Sequence, residues 1–102
     1  MKEIKQVVKN LKKYRPEKVV LFGSYAWGKP KKDSDIDILI IKKTGGNPYK
    51  RIPEARSYLH NINKAFDILV MEPEEVEKRL KLGDFFIEEI VEKGKVLYEA
   101  RK

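Results

Sequence analysis

Two spacings of apolar residues alternate along this chain. Ile4, Val7, Val8 and Leu11 fall on one stripe among lysines, so residues 2–13 are predicted to form an amphipathic helix that Pro16 ends. Three short apolar runs follow, each the length of a strand: Lys18 to Phe22, Asp35 to Ile41, and Ala65 to Met71. A short turn or helix over Ser24 to Trp27 and a basic loop, Lys29-Pro30-Lys31-Lys32, separate the first two runs. The turn cluster Thr44-Gly45-Gly46-Asn47-Pro48 and a helix over Ile52 to Ile62 separate the second from the third. Pro73 suits the first turn of a helix over Glu74 to Lys81. Gly83-Asp84 divides it from a last helix, Phe85 to Glu92, which Gly94 stops, and Lys95 to Glu99 can add a final strand.

The strand beginnings carry the chemistry. Side chains two apart in a strand leave the same face, so Asp35 and Asp37 aim at one point while Ile36 and Ile38 enter the core. Such a pair is a hard oxygen site suited to magnesium, with positions left for water and substrate phosphates. The first strand ends in Gly23-Ser24, where a helix start would offer free N–H groups to phosphates. For Ser24 to meet Asp35, the first two strands must be antiparallel neighbours, and the segment between them is shorter than a parallel crossover needs. For Asp67 to join the pair, the third strand must run parallel to the second, and the helix-bearing connection suits that crossover. A mixed sheet of three to four strands flanked by helices is the expected α/β (α+β) fold.

Three carboxylates from two strands could hold two magnesium ions, as two-metal phosphoryl-transfer sites do. Asp35 and Asp37 are the first candidate ligands, and Asp67 would hold mainly the second ion and act as base toward an acceptor hydroxyl. Gly23 would let the backbone approach the phosphates and Ser24 would bond the β- or γ-phosphate, while Lys29, with Lys31 and Lys32, could contact the triphosphate or an acidic partner, or form a solvated loop.

Bulk properties narrow the classes. At 102 residues the chain is expected to be one domain, 1–102, so an acceptor would bind on its outside. With no cysteine, thiolate metal sites, disulfides and cysteine nucleophiles are excluded. The absence of a signal-like start or a long apolar run predicts a cytoplasmic protein with no membrane partner. The net charge of +7 is uneven: residues 1–51 carry +9 and residues 52–102 carry −2, so the excess accompanies the Gly-Ser and Asp-x-Asp elements.

Gly23-Ser24, ten intervening residues, Asp35-x-Asp37 and a later strand bearing Asp67 together resemble the minimal nucleotidyltransferases of the DNA polymerase β superfamily. The likeness spans about residues 4–98. It implies a nucleotidyltransferase fold, Asp35, Asp37 and Asp67 as metal ligands, and transfer of a nucleoside monophosphate, expected to be AMP from ATP, with release of pyrophosphate. Small members are similar to antitoxins that silence an all-helical HEPN-domain RNase toxin by adenylylating a tyrosine, so a protein hydroxyl is the implied acceptor. Set against larger relatives, the chain is expected to act without a C-terminal substrate domain.

Other readings of the same residues compete. Gly23 to Lys29 begins like a P-loop, but Pro30 stands where a Ser or Thr must ligate magnesium. Trp27 and Tyr25 suit packing of the short helix onto the sheet, with base stacking as the alternative. His60 has no partner in the pattern, and Arg51 and Arg56 are expected to face solvent or a partner. Phe85, Phe86, Ile87, Ile90 and Val91 make the last helix apolar around most of its girth, so any excess beyond the core would serve a homodimer or a helical partner. The functional alternative is a non-catalytic subunit of the same fold that neutralises its partner by binding. A nucleic-acid-binding module is disfavoured, because no aromatic platform or nucleic-acid motif is evident.

Overall fold

A computed structural model describes residues 2–101. Helix α1 (Lys2–Leu11) buries Val7 and Leu11 as its stripe requires, and its last turn tightens into a 3-10 turn at Lys12–Tyr14. Arg15 then takes a left-handed conformation, φ 60°, and turns the chain toward Pro16 and strand β1 (Lys18–Phe22). Helix α2 (Ser24–Trp27) and the basic loop lead to β2 (Ile36–Ile41), helix α3 (Arg51–Ser57) to β3 (Phe66–Met71), and helices α4 (Pro73–Lys81) and α5 (Phe85–Lys93) to β4 (Lys95–Glu99).

The four strands form one sheet in the order β3-β2-β1-β4. β1 pairs antiparallel with β2 and with β4, and β2 pairs parallel with β3, the mixed topology that the chemistry demanded. One face of the sheet turns Val19, Leu21, Ile36, Ile38, Ile40, Phe66, Ile68 and Val70 toward Leu11 of α1 and Ala55 of α3. The other gathers Val20, Phe22 and Leu39 with Val76 of α4 and Ile87 and Ile90 of α5. Gly94 closes α5 against β1: a Cβ there would lie 2.6 Å from Val20 Cγ1 and 2.3 Å from the Ile90 carbonyl, so only glycine fits. No helix among the described residues is long and apolar enough to cross a membrane.

The helix expected over Ile52 to Ile62 is shorter: it ends at Ser57, where Tyr58 N and Leu59 N turn back to Ala55 O (3.1 Å) and Arg56 O (2.9 Å), three residues behind. A longer helix would have Tyr58 O accept from Ile62 N. Instead the buried Asn10 of α1 donates its amide to Tyr58 O (2.9 Å) and Asn61 Oδ1 (2.9 Å), and Ile62 N turns back to Leu59 O (3.0 Å). Leu59 and Ile62 stay buried through these turns, so the apolar spacing survives while the helix does not. Arg51 differs from expectation too. Its guanidinium is largely buried between Glu72 (3.8 Å) and Glu75 (2.6 Å) and is spent inside the fold.

Candidate active site

The strand registers set three residues in a row. Phe22 of β1 lies opposite Asp37 of β2, and Asp37 lies beside Asp67 of β3. Side chains at matched positions of paired strands share a face, and here it is the α5 face, because Phe22 and the residue two beyond Asp37, Leu39, both pack there. Asp35 sits one residue before β2, two before Asp37, at the same end of the sheet. Ile36 N donates to Ala65 O (2.9 Å), pinning the first residue of β2 beside the start of β3.

The electrostatics follow. Partial burial raises the Asp37 carboxyl above its ordinary value, and the charges of Asp67 and then Asp35 push it further the same way. Asp37 is therefore close enough to feel both of the other carboxylates. Among the described residues, however, no three His, Cys, Asp or Glu side chains are gathered into a preformed metal cage. Like charges without a neutralising side chain spread apart, and the backbone register rather than the side-chain pose brings these acids to one place.

Gly23 is fixed by this neighbourhood. It holds φ 70°, a region that favours glycine, and a Cβ there would fall within contact of the Asp37 carboxylate, 3.0 Å from its Cγ. Backbone and carboxylate thus meet with nothing between them, a cradle that any side chain would fill. Gly23 also occupies the cap position of α2 with no side-chain cap bond, so Ser24 is the first helical residue rather than its cap. Ala26 N and Trp27 N donate to Gly23 O, and Gly28 N to Ser24 O, leaving the Ser24 and Tyr25 N–H groups ahead of these bonds. Hard oxygen donors on one side and free N–H groups on the other suit a divalent cation carrying phosphates.

Lys29 is exposed on the loop after α2 and takes part in no ion pair among the described residues. That loop is tied only at its far end, where Lys31 N donates to Ser34 Oγ (2.8 Å) and Ser34 N to Lys31 O (3.0 Å). Where the segments leading into β2 and β3 run together, a cleft of about 720 Å³ is lined by Lys32, Ser34, Asn63 and Lys64. Part of the basic excess is structural: Lys42 lies 3.9 Å from the Tyr14 ring centre, Lys64 6.0 Å from that of Tyr25, and Lys18 pairs with Glu99. The two aromatics of α2 separate. Tyr25 joins the core on the α1 face, while Trp27 stays half-exposed beside Phe22. His60 meets only Ser57 O.

The family model described as Polymerase beta, Nucleotidyltransferase matches residues 2–102. The chain is 36% identical over 100 residues to "Putative protein adenylyltransferase MJ0604" of Methanocaldococcus jannaschii, across 95% of this chain and 96% of that protein. MJ1215 of the same organism, similarly named, is 36% identical over 67 residues, covering 61% of this chain and 77% of that one. A toxin-antitoxin crystal structure with AMP-PNP has the same fold at a TM-score of 0.66 and 22% identity, covering 96% of this chain and 74% of that one. The toxin-antitoxin MntA-HpeT, crystallised as a mutant, shares the fold at a TM-score of 0.64 and 20% identity, with the same coverage.

Proposed function

We propose, for a chain that belongs to the polymerase β nucleotidyltransferase family, that it is a magnesium-dependent adenylyltransferase acting on a hydroxyl of a protein partner. The observation that carries this reading is the row Phe22, Asp37, Asp67 with Gly23 against the Asp37 carboxylate. The names of its M. jannaschii relatives and the AMP-PNP in a toxin-antitoxin neighbour support the nucleotide, and support an antitoxin role toward a helical HEPN-type toxin.

In this reading Asp35 and Asp37 would hold the metal that accompanies ATP, and Asp67 would hold mainly a second. Bound magnesium neutralises triphosphate charge and makes an acceptor hydroxyl more acidic. The Gly23-Ser24 N–H groups and the Ser24 hydroxyl hold the outer phosphates, and Lys29 adds a mobile positive charge at the loop. The acceptor oxygen attacks the α-phosphorus and forms the new O–P bond. The bond from that phosphorus to the β-phosphate oxygen breaks, pyrophosphate leaves with its electron pair, and Asp67 takes the hydroxyl proton. A partly buried carboxylate pushed up by two neighbouring acids, as Asp37 is, is costly to a protein that leaves it without a cation, which favours catalysis over a purely binding subunit.

Calorimetric titration of each of the four NTPs, with and without magnesium, tests the donor site. Magnesium-dependent binding of ATP, lost in the Asp35→Asn, Asp37→Asn double variant, is the expected result. Absence of binding to the chain alone and to its complex with a partner would leave the binding-only subunit as the function. Label from the α-phosphate of ATP should then appear on a partner protein and not on its tyrosine-to-phenylalanine variant.

A further inference from the structure

The row of acids has an aromatic neighbour on the same face. Phe22, the register partner of Asp37, touches two other rings: Trp27 of α2 at 6.5 Å between ring centres, and Phe86 of α5 at 5.7 Å and nearly edge-on. Phe22 itself is buried, but Trp27 is 42% exposed and Phe86 52% exposed. Packing does not account for that exposure. Tyr25, two residues before Trp27, is drawn into the core, and Ile87, next to Phe86, is 4% exposed. Two large aromatic side chains are thus left part-exposed to solvent, both touching a buried ring whose residue pairs with Asp37.

We propose that Trp27 and Phe86 seat the nucleobase of the donor triphosphate, with a purine preferred for its larger face. This inference rests on the nucleotidyltransferase reading and deepens it. Trp27 stands one turn of α2 beyond Ser24, about 4.5 Å along the axis, so phosphates at Gly23-Ser24 put the nucleoside within reach of the indole. Stacking on an aromatic face is worth roughly 1–3 kcal/mol per base and needs no hydrogen-bond readout of the base edge. These two side chains are therefore specificity-determining residues for base size rather than groups that touch the reacting phosphorus.

Trp27 is the sole tryptophan of the chain, so its emission reports on the seat directly. The experiment titrates wild type, Trp27→Ala, Trp27→Phe and Phe86→Ala with magnesium complexes of ATP, GTP, UTP and inorganic tripolyphosphate. Heat and tryptophan emission are followed together. Purine triphosphates should quench Trp27 with the calorimetric midpoint, UTP less so, and tripolyphosphate should bind without quenching. Both alanine variants should bind ATP roughly 5- to 150-fold more weakly with tripolyphosphate unaffected, and Trp27→Phe should keep most of the affinity. Unchanged tripolyphosphate binding also certifies that a variant is folded. If ATP binds wild type with unaltered emission and the alanine variants match it, the seat is refuted while the nucleotidyltransferase reading stands. If neither ATP nor tripolyphosphate binds wild type, alone or in complex with a partner, that reading fails and the seat falls with it.

Discussion

The two ends of the parallel pair β2–β3 both carry carboxylates, and they treat them in opposite ways. Past the C-terminal ends, Glu72 accepts from Thr44 N (3.0 Å), Thr44 Oγ1 (3.2 Å) and Gly45 N (2.9 Å), and Glu75 accepts from Glu72 N (2.9 Å) and Arg51. Backbone donors, from Gly45 and Thr44 on Glu72 and from Glu72 on Glu75, hold both acids below the ordinary glutamate value. At the N-terminal ends partial burial, and then the charges of Asp67 and Asp35, raise the proton affinity of Asp37. An acid surrounded by donors ties turns together and is satisfied by the fold itself. An acid beside other acids gains no such partner from the contacts that shift it.

Neutral substitutions should separate the two ends most widely. Asp37→Asn or Asp67→Asn is expected to lower adenylyl transfer roughly 100- to 1,000-fold, since a metal supplies several kcal/mol of charge stabilisation and each ~1.36 kcal/mol is tenfold. Glu72→Gln should leave transfer near wild type, as single-turnover assays on both variants would show.

Next in size is the response to the cation. Magnesium at about a hundred times its dissociation constant should stabilise wild type by about 2.7 kcal/mol, read as a higher Tm. The Asp35→Asn, Asp37→Asn variant should show no such rise, and in chelator should melt above wild type because repulsion is relieved. A magnesium response kept by the double variant would place the metal elsewhere.

Gly23→Ala sharpens the contrast by steric means. The new methyl would meet the Asp37 carboxylate in a positive-φ conformation, so about 1–3 kcal/mol of destabilisation is expected from overpacking, together with weaker nucleotide binding. Denaturant melts and calorimetry measure the two effects separately.

The smallest effect is a pH dependence at the other end. A pKa held below its unfolded value means that the fold prefers charged Glu72, so this contribution is present above the unfolded value and fades as pH falls through the folded one. The stability gap between wild type and Glu72→Gln should be open at neutral pH and close as acid is added, which melts across pH would trace.

Much of this organisation was legible in the residues. Alternation around Asp35, Asp37 and Asp67 named the acids, and the need to bring them together gave the antiparallel and parallel pairings that the sheet has. What was hidden depends on partners far away in sequence. Asn10 fastens the turns after α3 to α1, Arg51 disappears between two glutamates, and Phe86 belongs to the acid end only because α5 crosses Phe22. A surplus of apolar residues at the start of α5 was the one available sign of Phe86, and it did not say which surface they face. Gly23 was chosen as a phosphate approach, but its contact with Asp37 emerges only from the register.

That register also orders events in time. Asp37 meets Phe22 across the connection 23–35, whereas it meets Asp67 only after the longer segment 42–65 has closed and α3 has docked. Loop-closure entropy favours the nearer pairing, so the hairpin-like half is expected to assemble before the parallel ladder, and β4, which meets β1 across the longest segment, after both. Competence to bind a metal nucleotide would then appear with the parallel ladder, and its time of appearance in a refolding chain would mark the docking of β3.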